Sequence, residues 1–392
     1  MLTGPKSAGA GGDNMGRNLV LCLDGTSNRY KRDNTNVLKL FAMLDRSRPD
    51  QIVYYQPGIG TITPIGETSR LRRWFLRFID LAFGVLLKQH CLGGYRFLMQ
   101  TYQPGDRIYI FGFSRGAYTA RVLAGMVHMV GLLPPNNEEM VEFAWKLYKR
   151  APRGAVEWRL VNGFRKIFSV GPRRPGIELL GLWDTVSSVR YMWRNRTFPF
   201  THDNPSVAHV RHAVALDERR AYFRQNLWSP AAQKQDLLEV WFPGVHCDVG
   251  GGYLRGECGL SNLALRWMLE QALGLADPVH FDEAAVKRYL PAQAGVEQGS
   301  GADDDSESDR IVCADPCAKA HESLKWYWWP VELIPKSYKH QAADGTYHTR
   351  WMIPFGRRRF LLNGMKVHRS VKERIDKGMF DRKLLPEDVE FV

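Results

Sequence analysis

What this sequence lacks narrows it first. No apolar stretch is long enough to cross a bilayer, which takes about 20 residues; the greasiest run, Trp74–Leu87, is broken by Arg77 and Asp80. The amino terminus, Met1–Gly16, is rich in Gly, Ala and Ser and has no apolar leader core. Residues 1–17 therefore read as a disordered tail and not as a cleaved signal. A cytoplasmic location is the default expectation, with export by a secretion system that reads no such signal left open. Cysteine is scarce, six scattered in 392 residues, which excludes a disulfide-stapled scaffold and reads as reduced thiols. Cys313, Cys317 and His321 are spaced to share a helix face, but no fourth ligand stands nearby and no metal site is expected. Glu297–Asp309 contains no core-forming residues and reads as a flexible acidic loop. Its Asp303–Asp305 run lacks the spacing of a calcium loop. There is no internal repeat.

Acidic residues are also short, 41 against 54 Lys and Arg, for a formal charge of +13. That balance favours acidic partners, either anionic lipid headgroups or nucleic acid. The hydrophobic share of 44% supports a sizeable core, and twelve tryptophans suit cores as well as lipid or sugar surfaces. Five short apolar runs, Leu19–Asp24, Ile52–Gln56, Ile108–Phe113, Ile177–Trp183 and Leu238–Phe242, each end in a Gly- or Asp-containing turn, with helical patterns between them. Such alternation predicts an α/β fold: a mainly parallel sheet with helices on both faces. Residues 18–392 read as a single domain with helical insertions at 69–100 and 136–175 acting as a lid. In the first insertion, cations from Arg70 to Arg77 interleave with Trp74, Phe75 and Phe78. The stretch 70–87 reads either as a membrane-surface helix or as a core helix with a basic start.

The most informative segment is Gly112-Phe113-Ser114-Arg115-Gly116, directly behind an apolar strand and ahead of a helical pattern that stops at Pro134-Pro135. A G-x-S-x-G turn of this kind holds its serine strained and exposed at the top of a sheet. A serine hydroxyl attacks only when a base takes its proton, and the base needs an orienting carboxylate. The next strand-end acid is Asp184, and the strand after it runs into Gly244-Val245-His246, on a glycine-rich loop at the same edge. His246 is preferred as the base over His368, which has no clear strand in front of it; His128 falls on the nucleophile helix, and His202, His209 and His212 lie in a region left unplaced. The oxyanion formed on attack needs backbone donors, expected from Arg115 and from Gly25 or Thr26 in the loop after the first strand. Asp24 and Asp248 are secondary candidates that order the site or hold a cation. An apolar strand ending in Asp-Gly-Thr is also similar to the haloacid-dehalogenase phosphatases, but Cys22 stands where their attacking aspartate belongs. A phosphatase is not expected.

The segments Leu21–Asn28, Tyr55–Gly60, Gly112–Ala117, Trp183–Val186 and Gly244–Tyr253 occur in this order. Together they resemble the α/β-hydrolase family labelled domain of unknown function 2235, over most of Asn18–Gly274. That family includes type VI secretion phospholipase effectors of the first class. The resemblance implies a Ser-Asp-His triad of Ser114, Asp184 and His246, and it keeps His368 as a structural or substrate contact. The expectation is a serine hydrolase of acyl esters, a phospholipase or lipase-like enzyme, needing no cofactor. Two readings stand beside it: a small-molecule carboxylesterase or thioesterase with the same machinery, and a catalytically silent fold used for binding. A nucleic-acid partner is not expected.

Overall fold

The computed structural model describes residues 16–25, 34–58, 86–150, 154–171, 174–186, 190–191, 194–195, 198–229, 235–291, 313–341 and 347–392. Residues 1–15 of the expected amino-terminal tail, the basic stretch 70–85 and the acidic loop 297–309 lie outside these residues, whereas Arg17, expected in the tail, is held by its ion pair with Asp106 at 2.7 Å.

The first half of the chain runs β1 (Asn18–Leu23), α1 (Asn36–Met43), β2 (Gln51–Gln56), α2 (residues 86–101), β3 (Arg107–Phe113), α3 (Arg115–Val130), α4 (Glu138–Arg150), α5 (Ala155–Phe168) and β4 (Ile177–Trp183). A small ribbon, β5 (Arg190–Tyr191) and β6 (Arg194–Asn195), precedes β7 (Val207–Ala215), β8 (Asp236–Phe242), α6 (His246–Gly250), α7 (Gly259–Leu273) and α8 (Glu283–Tyr289). The chain closes with α9 (Trp329–Glu332), the ribbon β9 (Lys336–Gln341) and β10 (Tyr347–Met352), then β11 (Met365–Val367), α10 (Arg369–Asp376) and β12 (Val389–Phe391).

Among the described residues, eight strands form one sheet in the order β12-β11-β8-β7-β4-β3-β1-β2. Every neighbouring pair in it is parallel. Alternate side chains of a strand face opposite sides, and β1 divides accordingly. Leu19, Leu21 and Leu23 join a core with α2, α3 and α4, whereas Val20 and Cys22 join a second core with α1 and α7. With both faces covered, the central strands read as nearly unbroken apolar runs, which is why they were legible.

Three placements refine the expectations. The described part of the first insertion is a core helix: Leu87, Cys91, Tyr95 and Leu98 of α2 are buried. In the second, α4 and α5 pack Val141, Tyr148, Val161 and Phe164 into the core that α3 also joins. Residues 313–321, expected on a helix face, form a turn within irregular chain instead, and Cys317 Sγ accepts a hydrogen bond from Lys377 Nζ.

The sheet positions the site through its topology. β1 pairs with β2 on one side and β3 on the other, so the chain reverses direction across the sheet there. Crevices at such switch points, beyond the carboxyl ends of the strands, are where open parallel sheets bind ligands.

Candidate active site

Ser114 occupies the sharp corner between β3 and α3. Its backbone, at φ 58° and ψ −121°, is one that side-chain-bearing residues rarely adopt. The corner exists because its flanks are glycine. A Cβ on Gly112 would sit 2.7 Å from Ala117 Cα, and one on Gly116 would sit 2.2 Å from the carbonyl oxygen of Leu23. The turn is tied to the next strand by the Ser114 N–H, which donates to Trp183 O at 3.0 Å.

Asp184 ends β4 and also has a positive φ, 37°. It is fully buried, and its Oδ1 accepts the N–H of Ala215 at 3.0 Å. His246 opens α6 after β8, its ring between Phe113 and Phe223 at centroid distances of 4.6 and 4.9 Å. The structure brings these three residues together. Asp184 Oδ2 lies 2.5 Å from His246 Nδ1, and His246 Nε2 lies 2.8 Å from Ser114 Oγ. A carboxylate only accepts, so Nδ1 carries the proton and Nε2 is left to accept from the hydroxyl. Ser114 and His246 are themselves almost fully buried.

The electrostatics match this proton arrangement. Burial pushes the His246 imidazolium towards deprotonation, against the attraction of Asp184, and the net direction is down from its ordinary value. Burial alone would raise the Asp184 carboxyl, but Arg359 and His246 together hold it well below the carboxylate range. A neutral imidazole thus faces the serine while an anion faces the imidazole.

Two elements of this setting were missed from the sequence. Arg359 is buried and holds both carboxylate oxygens of Asp184, one of them at 2.9 Å through Nη2, while Nη1 also donates to Ala215 O at 2.9 Å. It lies in the run Arg357–Arg359, to which no role was assigned from the sequence. Glu218, also buried, accepts the backbone N–H of His246 at 3.2 Å and pairs with Arg220 at 2.9 Å. Despite burial, its hydrogen bonds with Arg220 hold it down to about 2. The Arg220 guanidinium in turn lies 3.7 Å from the centroid of Phe223, behind the imidazole.

The remaining candidates are placed as follows. Arg115 is the first residue of α3, immediately after the serine. The Gly25 N–H is turned back onto Asp24 Oδ1 at 2.6 Å, and Thr26 lies outside the described residues. Asp24 also accepts from Thr35 Oγ1 at 2.7 Å and from the Tyr55 hydroxyl at 3.0 Å, tying the β1 loop to α1 and β2. Asp248 holds the start of α6 by accepting the Val245 N–H at 2.9 Å, and its other oxygen lies 2.6 Å from His321 Nδ1. Both acids are engaged in joining segments, and among the described residues no group of His, Cys, Asp and Glu is arranged to hold a metal ion. His368 does have a strand in front of it, the three-residue β11. Its ring stacks on Phe242 at 4.5 Å, its Nδ1 lies 2.7 Å from Ser370 Oγ, and it lines a separate pocket with Trp267 and Glu373. His212, left unplaced before, lies in the middle of β7 with Nδ1 2.7 Å from Glu239 and Nε2 accepting the Thr185 N–H at 3.1 Å. It therefore supports the turn that carries Asp184. Among the described residues no helix is long and apolar enough to cross a membrane.

Known proteins bear on this site. The uncharacterized protein YEL023C of Saccharomyces cerevisiae is 26% identical in an alignment 575 positions long, gaps included, covering 98% of this chain and 83% of the yeast protein. Among solved structures, an uncharacterized protein from Pseudomonas aeruginosa aligns at 19% identity with a TM-score of 0.39, over 68% of this chain and 47% of that one. The Tle1 effector bound to the VgrG spike of the type 6 secretion system aligns at 21% identity with a TM-score of 0.34, over 63% of this chain and 53% of that one. The chain thus spans about half the length of these solved relatives. The family model for the type VI secretion phospholipase effector Tle1-like catalytic domain matches residues 17–271, the stretch that contains Ser114, Asp184 and His246, and the chain belongs to that family.

Proposed function

We propose that the protein hydrolyses the acyl ester of a phospholipid through a seryl acyl-enzyme. The observation that carries this reading is the unbroken relay of Ser114, His246 and Asp184 at hydrogen-bond distances of 2.8 and 2.5 Å, in a family of phospholipase effector catalytic domains. Ser114 Oγ attacks the ester carbonyl while His246 Nε2 takes its proton, and Asp184 stabilises the imidazolium. The tetrahedral oxyanion collapses, the C–O bond to the leaving alcohol breaks, and His246 returns the proton to that alcohol. Water then repeats the sequence, giving fatty acid and free serine.

The oxyanion is held by the N–H of Arg115, aided by the positive end of the α3 dipole. The second donor belongs to the β1 loop, since the backbone of Leu23 and Asp24 touches Gly116 at the start of α3. With the Gly25 N–H bonded to Asp24, Thr26 is the better of the two candidates.

Labelling with a fluorophosphonate tests the nucleophile: the wild type should react and Ser114→Ala should not. Fatty acid release from phospholipid vesicles, set against hydrolysis of a soluble short-chain ester, tests the substrate. Labelling that persists in the alanine variant would mean another nucleophile. Turnover confined to the soluble ester would make the protein a small-molecule esterase.

A further inference from the structure

Five of the tryptophans in this fold are put away. Trp145, Trp183, Trp228, Trp241 and Trp267 are all buried. Residues 326–333 reverse that habit. Trp326, Tyr327, Trp329 and Leu333 are exposed by 75, 47, 41 and 52%, while Glu332 in the same turn is completely buried. Facing tryptophan to water and a carboxylate to the interior is the opposite of a solvent-facing segment. The arrangement is held firmly. Glu332 accepts the N–H of Ala221 at 2.7 Å and that of Gly356 at 3.4 Å, and its own carbonyl accepts the Phe355 N–H at 3.2 Å. These bonds lay a second strip beside the first, in which Phe355 and Phe360 are also exposed. The exposed cations Lys325 and Arg357 stand close to these rings along the chain, and the exposed Arg358 pairs with Asp217.

We propose that this rim, residues 326–333 with 353–360, seats the protein on an anionic membrane surface beside the mouth of the Ser114 site. Its composition states the partner. Trp and Tyr combine apolar bulk with a polar edge and collect at headgroup depth, where Lys and Arg meet the negative surface potential. The charge of the whole chain, +13, acts in the same direction. Continuity with the site is direct: Trp328 meets the Phe223 ring at 5.7 Å, and Phe223 meets the His246 ring at 4.9 Å. Arg359, between the exposed Arg358 and Phe360, reaches inward to Asp184. A lipid drawn to the rim therefore arrives one ring away from the imidazole. The proposal rests on the phospholipid reading, of which it specifies the docking surface.

The test uses the full chain carrying Ser114→Ala, so that vesicles stay intact, and sedimentation with vesicles of phosphatidylcholine alone or mixed with phosphatidylglycerol. Binding is expected with the mixed vesicles and weaker with phosphatidylcholine. Trp326→Ser with Leu333→Ser should weaken it by about tenfold or more, the lost apolar burial of two side chains. Lys325→Glu with Arg357→Glu should remove the salt-sensitive part. In chains that keep Ser114, the same pairs should react with a soluble fluorophosphonate within about twofold of the wild type, since none of the four side chains touches the relay. Rim variants that sediment like the parent would overturn the proposal. So would loss of self-association in those variants with vesicle binding unchanged, which would make the rim a contact between copies. Should the wild type fail to label while rim variants still lose binding, the hydrolase reading falls and the docking surface stands.

Discussion

Asp184 receives its two side-chain partners, His246 and Arg359, from very different parts of the molecule. His246 comes from the loop after β8, inside the stretch 17–271 that the family shares. Arg359 comes from beyond it, in irregular chain between the β9–β10 ribbon and β11. The first partner is placed by a parallel sheet, a rigid scaffold that brings distant strand ends to one rim. The second is placed by a few specific hydrogen bonds in a segment with no repeating pattern. Ser114, Asp184 and His246 thus stand at strand ends of the sheet, and the guanidinium that holds the Asp184 carboxylate arrives from outside it.

The largest expected effect lies wholly in the first region. Ser114→Ala should lower ester turnover by about 10⁴-fold or more, because removing a nucleophile leaves only binding and oxyanion stabilisation. Its melting temperature should stay close to that of the wild type. A variant that hydrolyses normally would show that the relay is a structural hydrogen-bond chain.

Arg359→Gln tests whether the second region serves the first. It leaves the Asp184 carboxylate buried without its cation, which typically costs about 3–5 kcal/mol in stability, read by urea denaturation. It also carries a signature that loss of fold would not give. In the wild type, the acid limb of kcat/KM should have its midpoint below the ordinary histidine value of 6.5, since His246 is shifted down. Without Arg359, the field of Asp184 on the imidazole is less compensated, the imidazolium is favoured, and that limb should move to higher pH. Arg359→Lys keeps the charge and should return the limb part of the way. An unmoved limb in the glutamine variant would reduce Arg359 to a packing element.

The same comparison explains what the sequence revealed. Five strands were legible because their letters are apolar, with β1, β3 and β4 buried on both faces, and Ser114, Asp184 and His246 were legible because each follows such a strand. β7 escaped because His209, Arg211 and His212 interrupt its apolar letters. In the fold, those groups are satisfied across to β8, Arg211 and His209 by Asp236 and His212 by Glu239. β11 and β12 have three residues each, too short for any periodicity. Arg359 stood 175 positions from the carboxylate it holds, in a run of three arginines that nothing local distinguishes from a solvated patch. Long-range charge pairing leaves no periodic trace.

Glu218 sharpens the comparison at intermediate size. It lies within the shared stretch, yet its hydroxyl partner, Ser323, comes from outside it, donating at 3.0 Å. Its folded value of about 2 is below the ordinary 4.5. The stability it contributes is therefore complete above about pH 4.5 and lost as pH falls towards about 2. That loss should amount to roughly 3 kcal/mol. Glu218→Gln should be less stable than the wild type near neutrality and should show a flatter decline over that window, followed by urea denaturation at successive pH values. A decline as steep as that of the wild type would mean other carboxylates govern acid unfolding.

Asp248 should give the smallest effect, because it joins the two regions without touching the relay. One oxygen accepts the Val245 N–H at the start of α6, and the other lies against His321, whose ring stacks on Tyr253 at 3.6 Å. Asp248→Asn keeps the size of the side chain and one acceptor, so the α6 turn persists while the charge-assisted bond to His321 weakens. A loss of about 1–2 kcal/mol is expected, with fluorophosphonate labelling slowed by only a few-fold, since His246 is also held by Asp184 and by the Glu218 bond to its N–H. A collapse of labelling with stability unchanged would break the division drawn here. It would mean that the contact between Asp248 and His321 sets the angle of the imidazole and that the outer segment positions the base as well as the acid.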